Sequence, residues 1–346
     1  MSIFSRSSIA IDLGTANTLI YLKDVGIILN EPSVVAIKDK KHPYAFGTEA
    51  GRMLGKTPNN IDAIRPLRDG VIADFKAAEL MLNHFIKSSS GGFSDTLLSF
   101  FLKRRIIVCV PSGSTPVERR AIQEAALVSC PNSEVFLIEE PMAAAIGAKV
   151  DVMQPIGSMI VDIGGGTTEI GVTSLGGLSS SKSIRFGGDK IDEAIIAFIR
   201  KEHNLLIGDL TAESIKRQIG AAMLKPEDAI ETMVIRGRDL SKGIPVTLTI
   251  SSQEISSSIS DTLYQIIDAI KSLLEKMGPE IAADIADRGI ILAGGGALLK
   301  NISDFISTHT TLPVVVSEDP LFAIVNGIGK VIDNFPQYRH VLFKQD

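Results

Sequence analysis

Two short motifs of the same kind stand 150 positions apart and carry the residues best suited to phosphate chemistry. Positions 11–20 and 161–170 each have the pattern of an apolar strand, a turn of small residues and a second apolar strand, which predicts a β-hairpin. Turns of Gly, Thr and Ala expose backbone N–H groups without side-chain obstruction, and such turns cradle phosphate oxygens. One such motif alone is commonly an ordinary turn, but two matched copies favour a phosphate site between them.

An aspartate precedes each turn at the matching position. Asp12 and Asp162 would therefore flank a polyphosphate held between the two hairpins. Two carboxylates in this position would hold a hydrated magnesium ion, because Mg²⁺ prefers oxygen ligands and keeps several of its waters. We expect both aspartates to bind Mg²⁺ through water.

Two further features could contact the rest of a nucleotide. A glycine run at 294–296 follows an apolar strand and precedes a helical pattern, which leaves a helix N-terminus open to an anion or a ribose edge. Glu213 and Lys216 are three positions apart, so they share one face of a helix whose predicted N-cap is Thr211. They could bind ribose hydroxyls, although such a pair is also typical of a solvated helix face.

A pair of acidic residues, Glu139 and Glu140, stands at the end of an apolar strand, and a helix is predicted to start at Pro141. A carboxylate at this point would face the cleft and could orient an attacking water. The alternative is that both acids only complement the dipole of the helix that follows. The residues alone leave these interpretations open.

An apolar, aromatic segment with a basic edge lies at 93–105, after the flexible pattern Ser-Ser-Ser-Gly-Gly. Such a segment would insert shallowly into the face of an anionic bilayer. A core helix followed by a strand would give the same pattern. The residues expected to contact the membrane are Phe93, Leu97, Leu98, Phe100 and Phe101.

The elements that must position these residues also come in two copies. A strand at 105–110 leads through a small-residue turn into a helix at 116–129, and a strand at 289–293 leads through the glycine run into a second helix. Each half therefore has hairpin, helix, strand, turn and helix, which predicts two α/β lobes facing each other across a cleft. The intervening segments 30–70 and 187–241 have the patterns of inserted subdomains.

The composition limits the function classes. The chain has 346 residues and a formal net charge of −5, with no tryptophan and four tyrosines, so it is a poor general binder of nucleic acid. Its two cysteines offer one possible pair, so we expect no secreted disulfide framework, and no apolar run approaches 18 residues. Since no signal-peptide pattern precedes Asp12, we expect a cytoplasmic location.

Taken together, the motifs resemble the ATPase superfamily of actin, heat-shock chaperones and sugar kinases, and within it the MreB family of bacterial actins. The matching stretches keep the order and spacing of that family from residue 9 to about residue 330. The resemblance implies an actin-like α/β fold of two duplicated lobes, with inserted subdomains around a nucleotide cleft. The matching stretches are 11–18, 29–36, 64–75, 140–147, 162–169, 187–189 and 290–299.

The resemblance also implies roles for individual residues. Glu140 and Thr167 would position the water that hydrolyses ATP. Glu213 and Lys216 would flank the ribose and base, and the glycine run would close the adenosine pocket. The residues implied to bind the ATP cofactor are Asp12, Gly14, Thr15, Ala16, Asn17, Asp162, Gly164, Gly165, Gly166, Thr167, Gly188, Asp189, Glu213, Lys216, Gly294, Gly295, Gly296 and Ala297.

The implied partners are further copies of the chain, a membrane surface and membrane proteins. The family forms antiparallel double filaments at the inner membrane and guides peptidoglycan synthesis with partners such as RodZ and MreC. A peripheral position on the inner face of the cell membrane is therefore expected. Because the N-terminal segment 1–7 is too short for a convincing amphipathic anchor, we expect attachment to depend chiefly on 93–102.

The predicted division places the core of lobe I at 1–32 and 73–147, with the return of the chain at 318–346. The core of lobe II is predicted at 148–186 and 246–317. The inserted subdomains are predicted at 33–72 and 187–245. Two other functions fit the motifs: a small-molecule kinase, for which no second carboxylate dedicated to a substrate hydroxyl is evident, and a chaperone-like ATPase, which would need a substrate-binding domain.

Overall fold

The computed structural model describes residues 8–89, 104–130 and 133–344. The strands of this part are short, and those at the centre of each lobe are buried along their whole length, as expected for strands covered on both faces. In chain order they are β1 (Ile9–Leu13), β2 (Asn17–Leu22), β3 (Gly26–Pro32), β4 (Val35–Lys38), β5 (His42–Phe46), β6 (Ile61–Ile64), β7 (Leu67–Arg68), β8 (Val71–Ile72), β9 (Arg105–Val110), β10 (Glu134–Glu139), β11 (Ser158–Ile163), β12 (Thr168–Ser174), β13 (Gly177–Ile184), β14 (Leu205–Leu206), β15 (Thr232–Asp239), β16 (Pro245–Ser251), β17 (Ile290–Ala293) and β18 (Val314–Val316).

Two of the helices begin at capping boxes. Thr115 and Glu118 form a capping box before one helix, and Ser251 and Glu254 form another before the longest. In chain order the helices are α1 (Gly47–Gly51), α2 (Phe75–Ser89), α3 (Pro116–Ser129), α4 (Glu140–Gly147), α5 (Gly188–His203), α6 (Asp209–Ile219), α7 (Ser252–Leu274), α8 (Pro279–Arg288), α9 (Ile302–Thr310), α10 (Ala323–Asp333) and α11 (Phe335–Tyr338).

Two five-stranded sheets form the centres of the two lobes. The sheet of lobe I has the order β10-β9-β1-β2-β3, and that of lobe II has the order β18-β17-β11-β12-β13. In each, an antiparallel hairpin is extended by a third antiparallel strand on one side and by two parallel strands on the other. The predicted duplicated α/β fold is therefore confirmed.

Two three-stranded sheets are inserted between the parts of the lobes. One consists of β5, β4 and β6, and the other of β14, β15 and β16. The first lies within the predicted subdomain 33–72. The second runs past the predicted end of its subdomain, because β16 begins at Pro245 and continues to Ser251. The division into subdomains stays a prediction.

Helices α4 and α10 cross between the two lobes at a contact that only glycine permits. A Cβ on Gly147 would lie 1.7 Å from the carbonyl oxygen of Ala323, and a Cβ on Gly327 would lie 1.9 Å from that of Ala143. The crossing helices belong to a hydrophobic cluster that contains Ala10, Ile107 and Val325 as well as Ile160 and Ala293 of lobe II. This hydrophobic cluster therefore includes residues of both lobes.

Two predicted helix starts are wrong. The helix bearing Glu213 begins at Asp209 with Gly208 as its N-cap, so Thr211 lies inside its first turn. After the glycine run, a short 3₁₀ turn at Gly295–Leu298 comes first and α9 begins only at Ile302. Within the described ranges, no helix is long and apolar enough to cross a membrane.

Candidate functional site

The turns of the two central hairpins meet tip to tip between the lobes. A Cβ on Gly165 would lie 2.8 Å from the Cβ of Ala16, and a Cβ on Gly166 would lie 2.8 Å from the Oγ1 of Thr15. Side chains at either glycine would therefore collide with the opposite turn. Because the hairpins come from different lobes, a ligand between these turns would contact both lobes.

Ser33, the residue after β3, holds the first turn by two hydrogen bonds. Its hydroxyl donates to the carbonyl oxygen of Gly14 at 2.7 Å, and its backbone N–H donates to that of Ala16 at 2.9 Å. The buried Thr18 hydroxyl lies 2.9 Å from the same Ser33 oxygen. Ser33 was not among the predicted site residues, although its stretch 29–36 contributed to the resemblance. Ser33 is 17 positions from Ala16 and 19 from Gly14, so no local spacing pointed to it.

Asn17 and Thr15 of the first turn have partners of their own. The Asn17 amide donates to Asn30 Oδ1 at 3.2 Å. The backbone N–H of Gly70 donates to Thr15 Oγ1 at 3.2 Å, and a Cβ on Gly70 would lie 2.7 Å from Cγ2 of Thr167. The loop at 69–70 therefore contacts both turns, a role that the sequence did not reveal.

The second turn is held by the N-terminus of α5. The backbone N–H groups of Gly188 and Asp189 donate to the carbonyl oxygens of Gly164 and Gly165 at 2.9 and 2.8 Å. These two donors are engaged, so Gly188 and Asp189 orient the turn in this structure. The Asp189 carboxylate lies 3.6 Å from a guanidinium nitrogen of Arg65.

The two predicted magnesium ligands are buried under the turns. Burial raises the pKa of Asp12 to about 7. Burial, followed by the charges of Asp12 and Glu169, raises the pKa of Asp162 to about 8. Oδ1 of Asp162 is buried without a hydrogen-bond partner among the described residues, and a Cβ on Gly294 would lie 2.6 Å from it.

These observations fit a hydrated magnesium ion. Two buried carboxylates, one with an unsatisfied oxygen, form a site where a cation would offset the cost of burying negative charge. In the part of the chain that the structure describes, no three or more His, Cys, Asp or Glu side chains are grouped to hold a metal ion. Mg²⁺ is commonly bound through one or two carboxylates together with water and phosphate, rather than in such a cage.

Glu140 begins α4 next to these carboxylates, at the end of β10. Burial raises the pKa of Glu140 well above its ordinary value, and the charge of Glu169 raises this pKa further, followed by Asp12 and Asp162. Burial raises the pKa of the Cys109 thiol, and the charges of Asp12, Glu140 and Asp162 raise this pKa further. Glu140 is therefore coupled electrostatically to the buried carboxylates Glu169, Asp12 and Asp162.

Glu169 is a buried carboxylate that the prediction missed. It lies on β12 directly opposite Asp162 in the hairpin. The backbone N–H and the hydroxyl of Ser112 donate to its Oε2 at 3.0 and 2.8 Å, and the hydroxyl of Ser183 donates to its Oε1. Burial raises the pKa of Glu169, whereas the hydrogen bonds from Ser183 and Ser112 lower this pKa. A charged residue in a strand that has no other charge was the available signal.

Glu213 and Lys216 lie on one helix but have different partners. The Lys216 ammonium donates to Asp192 Oδ2 at 2.8 Å and to the carbonyl oxygen of Gly188 at 3.0 Å. Glu213 lies 3.9 Å from Arg217 on the exposed side. Lys216 thus contacts α5, the helix that supports the second turn. The prediction did not include Asp192, the buried counter-ion of Lys216.

The glycine run at 294–296 packs against the second hairpin. Gly294 has φ of +79°, and a Cβ there would lie 2.4 Å from the carbonyl oxygen of Ile163. A Cβ on Gly296 would lie 2.2 Å from the Ile163 side chain, and Ala297 is buried. The run is therefore next to Asp162. The residues predicted for membrane contact, from 93 to 101, lie outside the described residues.

Comparison with known proteins agrees with this arrangement. The family model described as MreB/Mbl protein matches residues 6–340. The cell shape-determining protein MreB of Escherichia coli (strain K12) is 49% identical over 98% of this chain and 97% of its own length, and the cell shape-determining protein Mbl of Bacillus subtilis (strain 168) is 47% identical over 96% and 97%.

Solved structures share the fold. MreB5 of Spiroplasma citri bound to ADP has a TM-score of 0.89 at 35% identity, covering 97% of this chain and 99% of that chain. The MamK double helical filament, at 22% identity over 94% of this chain and 98% of that chain, has a TM-score of 0.77 and supports the fold alone. With its duplicated lobes, its facing hairpins and these relatives, the chain belongs to the MreB/Mbl family of actin-like proteins.

Proposed function

We propose that the protein binds ATP with Mg²⁺ between the two hairpins and hydrolyses it. The observation that carries this proposal is the meeting of two matched turns above two buried aspartates, one of which has an oxygen without a partner. A polyphosphate between the turns would accept hydrogen bonds from both lobes. Asp12 and Asp162 would hold the magnesium ion through water, and the ion would neutralise phosphate charge when bound. The ADP-bound MreB5 relative supports a nucleotide as the ligand.

The predicted hydrolytic residues come from different lobes. Glu140 follows β10 of lobe I, and Thr167 lies in the turn of the second hairpin in lobe II. A carboxylate with a raised pKa holds a proton more strongly, which suits a group that accepts one from an attacking water. The Thr167 hydroxyl would orient the same water. Water therefore becomes positioned for attack only when the two lobes are correctly placed.

The proposal extends to the assembled form. Relatives of nearly the same length are named cell shape-determining proteins, which supports a filament that organises cell-wall synthesis and rod-type shape. We propose antiparallel double filaments on the inner face of the cell membrane. Membrane contact would come from the segment containing Phe93, Leu97, Leu98, Phe100 and Phe101, with RodZ and MreC as membrane partners.

Electron microscopy on an anionic lipid monolayer with Mg-ATP tests the whole proposal. We expect paired filaments on the monolayer, and phosphate release in the same mixture. Asp162→Asn should lose tight Mg-ATP binding while remaining folded, and the exposed Asp62→Asn variant is the matched control. Wild-type protein that binds ATP but forms no filaments, with or without lipid, would contradict the cytoskeletal function.

A further inference from the structure

Glu169 joins the two lobes by hydrogen bonds at full burial. Its side chain is on β12 of lobe II, and its relative exposure is 0%. Two of its three donors, the N–H and the hydroxyl of Ser112, belong to the loop after β9 of lobe I. The third is Ser183 on β13, in its own lobe. A buried carboxylate depends on such donors, because an ion without them is costly to bury.

This contact lies between the two predicted hydrolytic residues, Glu140 and Thr167. Glu140 directly follows Glu139, which pairs with Val110 across the parallel strands β10 and β9. Ser112 is two residues beyond Val110, and it binds Glu169. Glu169 is in turn two residues beyond Thr167 on the second hairpin. The contact thus completes a short path of strand pairing and side-chain hydrogen bonds from Glu140 to Thr167.

The loop that carries Ser112 is itself well supported. The Ser114 hydroxyl donates to the carbonyl oxygen of Pro111 at 2.6 Å, and Arg119 Nε donates to Ser114 Oγ at 3.2 Å. Arg119 also lies 3.4 Å from Glu139. Arg119 therefore links the loop to the end of the strand that precedes Glu140. This link fixes the position of Ser112, which binds Glu169, relative to lobe I.

We propose that Ser112 and Glu169 form an interlobe latch that positions Thr167 against Glu140 for hydrolysis. This inference rests on the proposed ATPase function. Both are positioning residues, because they act through the hydrolytic pair and not on ATP. Releasing the Ser112 hydroxyl loosens the placement of Thr167 relative to Glu140, while the nucleotide contacts of both turns remain.

Two serine substitutions separate the latch from a general loss of hydrogen bonding. Ser112→Ala removes a donor to Glu169 from lobe I, and Ser183→Ala removes a donor to the same carboxylate from lobe II. For Ser112→Ala we expect the rate of ATP hydrolysis to fall about tenfold, since small misplacements of reacting groups reduce rates by such factors. Fluorescent-nucleotide titration should give an unchanged Kd for ATP. Ser183→Ala should stay within about twofold of the wild type, because it leaves both donors from lobe I in place, whereas Ser112→Ala leaves only the backbone N–H.

Ser112→Thr is the rescue variant, since it keeps the hydroxyl donor and should restore hydrolysis. Pelleting in the same buffer gives the assembled fraction, so that rates are compared per assembled protomer. Equal losses in Ser112→Ala and Ser183→Ala, or a wild-type rate in Ser112→Ala, would overturn the proposal. A failure of Ser112→Thr to recover activity would also count against it.

Hydrogen–deuterium exchange without nucleotide tests the latch independently of ATP hydrolysis. Ser112→Ala should speed exchange in peptides covering both 111–115 and 166–170, whereas Ser183→Ala should leave 111–115 at the wild-type rate. If the wild-type protein hydrolyses no ATP, the proposed ATPase function fails and this exchange pattern still decides whether the lobes are latched. Unchanged exchange at 166–170 in Ser112→Ala would refute the latch even in an active ATPase.

Discussion

Replacing Asp162 by asparagine should stabilise the nucleotide-free protein and abolish its stabilisation by Mg-ATP. The pKa of Asp162 is raised from 3.8 to about 8, first by burial and then by the charges of Asp12 and Glu169. The folded protein therefore retains a proton that the unfolded chain releases at pH 4. It follows that the free energy of unfolding falls as pH rises from about 4 to 8 and levels off above that range.

The magnitude follows from the pKa difference. Each pKa unit corresponds to about 1.4 kcal/mol, and roughly three units separate the unfolded pKa from neutral pH, so ionisation at pH 7 costs the folded state up to about 4 kcal/mol. A buried asparagine amide also needs partners, which reduces the gain. We expect Asp162→Asn to raise the free energy of unfolding by about 1–4 kcal/mol at pH 7.5 in EDTA.

Chemical unfolding at several pH values checks this prediction. In EDTA, the wild type should lose stability between pH 5 and pH 8, and Asp162→Asn should show a flatter dependence, with the residual slope coming from Asp12. Mg-ATP should raise the melting temperature of the wild type and leave that of the variant nearly unchanged. Asp62→Asn, at an exposed position, should behave as the wild type. A variant less stable than the wild type in EDTA at pH 7.5 would refute the reasoning.

Three further predictions concern packing, capping and membrane contact. Gly327→Ala should destabilise the protein by more than about 3 kcal/mol in chemical unfolding, because its Cβ would lie 1.9 Å from the carbonyl oxygen of Ala143; a loss below 1 kcal/mol would show that the helices can separate. Thr115→Ala should cost about 1 kcal/mol through loss of the capping box, with the Kd for ATP unchanged; a weakened Kd would mean that α3 affects the cleft. Replacing Phe100 and Phe101 together by Asp should reduce co-sedimentation with anionic liposomes severalfold while ATP binding is retained; unchanged co-sedimentation would remove this segment as the anchor.

The fold could be predicted because the sequence repeats its signals. The two Asp-x-Gly hairpins and the strand–turn–helix units that follow them are local patterns, and the structure contains both hairpins in the same strand pairing. The first residues of helices were harder to predict, because neighbouring residues compete for the N-cap position. Gly208 precedes Thr211 and takes the N-cap, although threonine is a favoured capping residue.

The site was predicted only where a residue carries its own local signal. Asp12 and Asp162 stand in recognisable turns, whereas Ser33, Asp192 and Glu169 act through partners 14 or more positions away in the chain. Such contacts depend on the packing of lobes and strands, which no local spacing encodes. For the same reason the sequence assigned Lys216 to the nucleotide but did not reveal the carboxylate that holds it.

The two hairpins have the same antiparallel strand pairing, but they differ in the residue that lies directly opposite the aspartate. Asp12 is paired across its hairpin with Leu19, which is packed in the core, whereas Asp162 is paired with Glu169. The first turn is held within its own lobe by Ser33, while the second hairpin is fastened to the other lobe through Ser112. Under the proposed function, an apolar partner suits the hairpin that binds phosphate and the hydrated ion but carries no hydrolytic residue. A charged, hydrogen-bonded partner suits the hairpin that carries Thr167, because the proposed hydrolytic role requires a fixed position of Thr167 relative to Glu140 across the cleft.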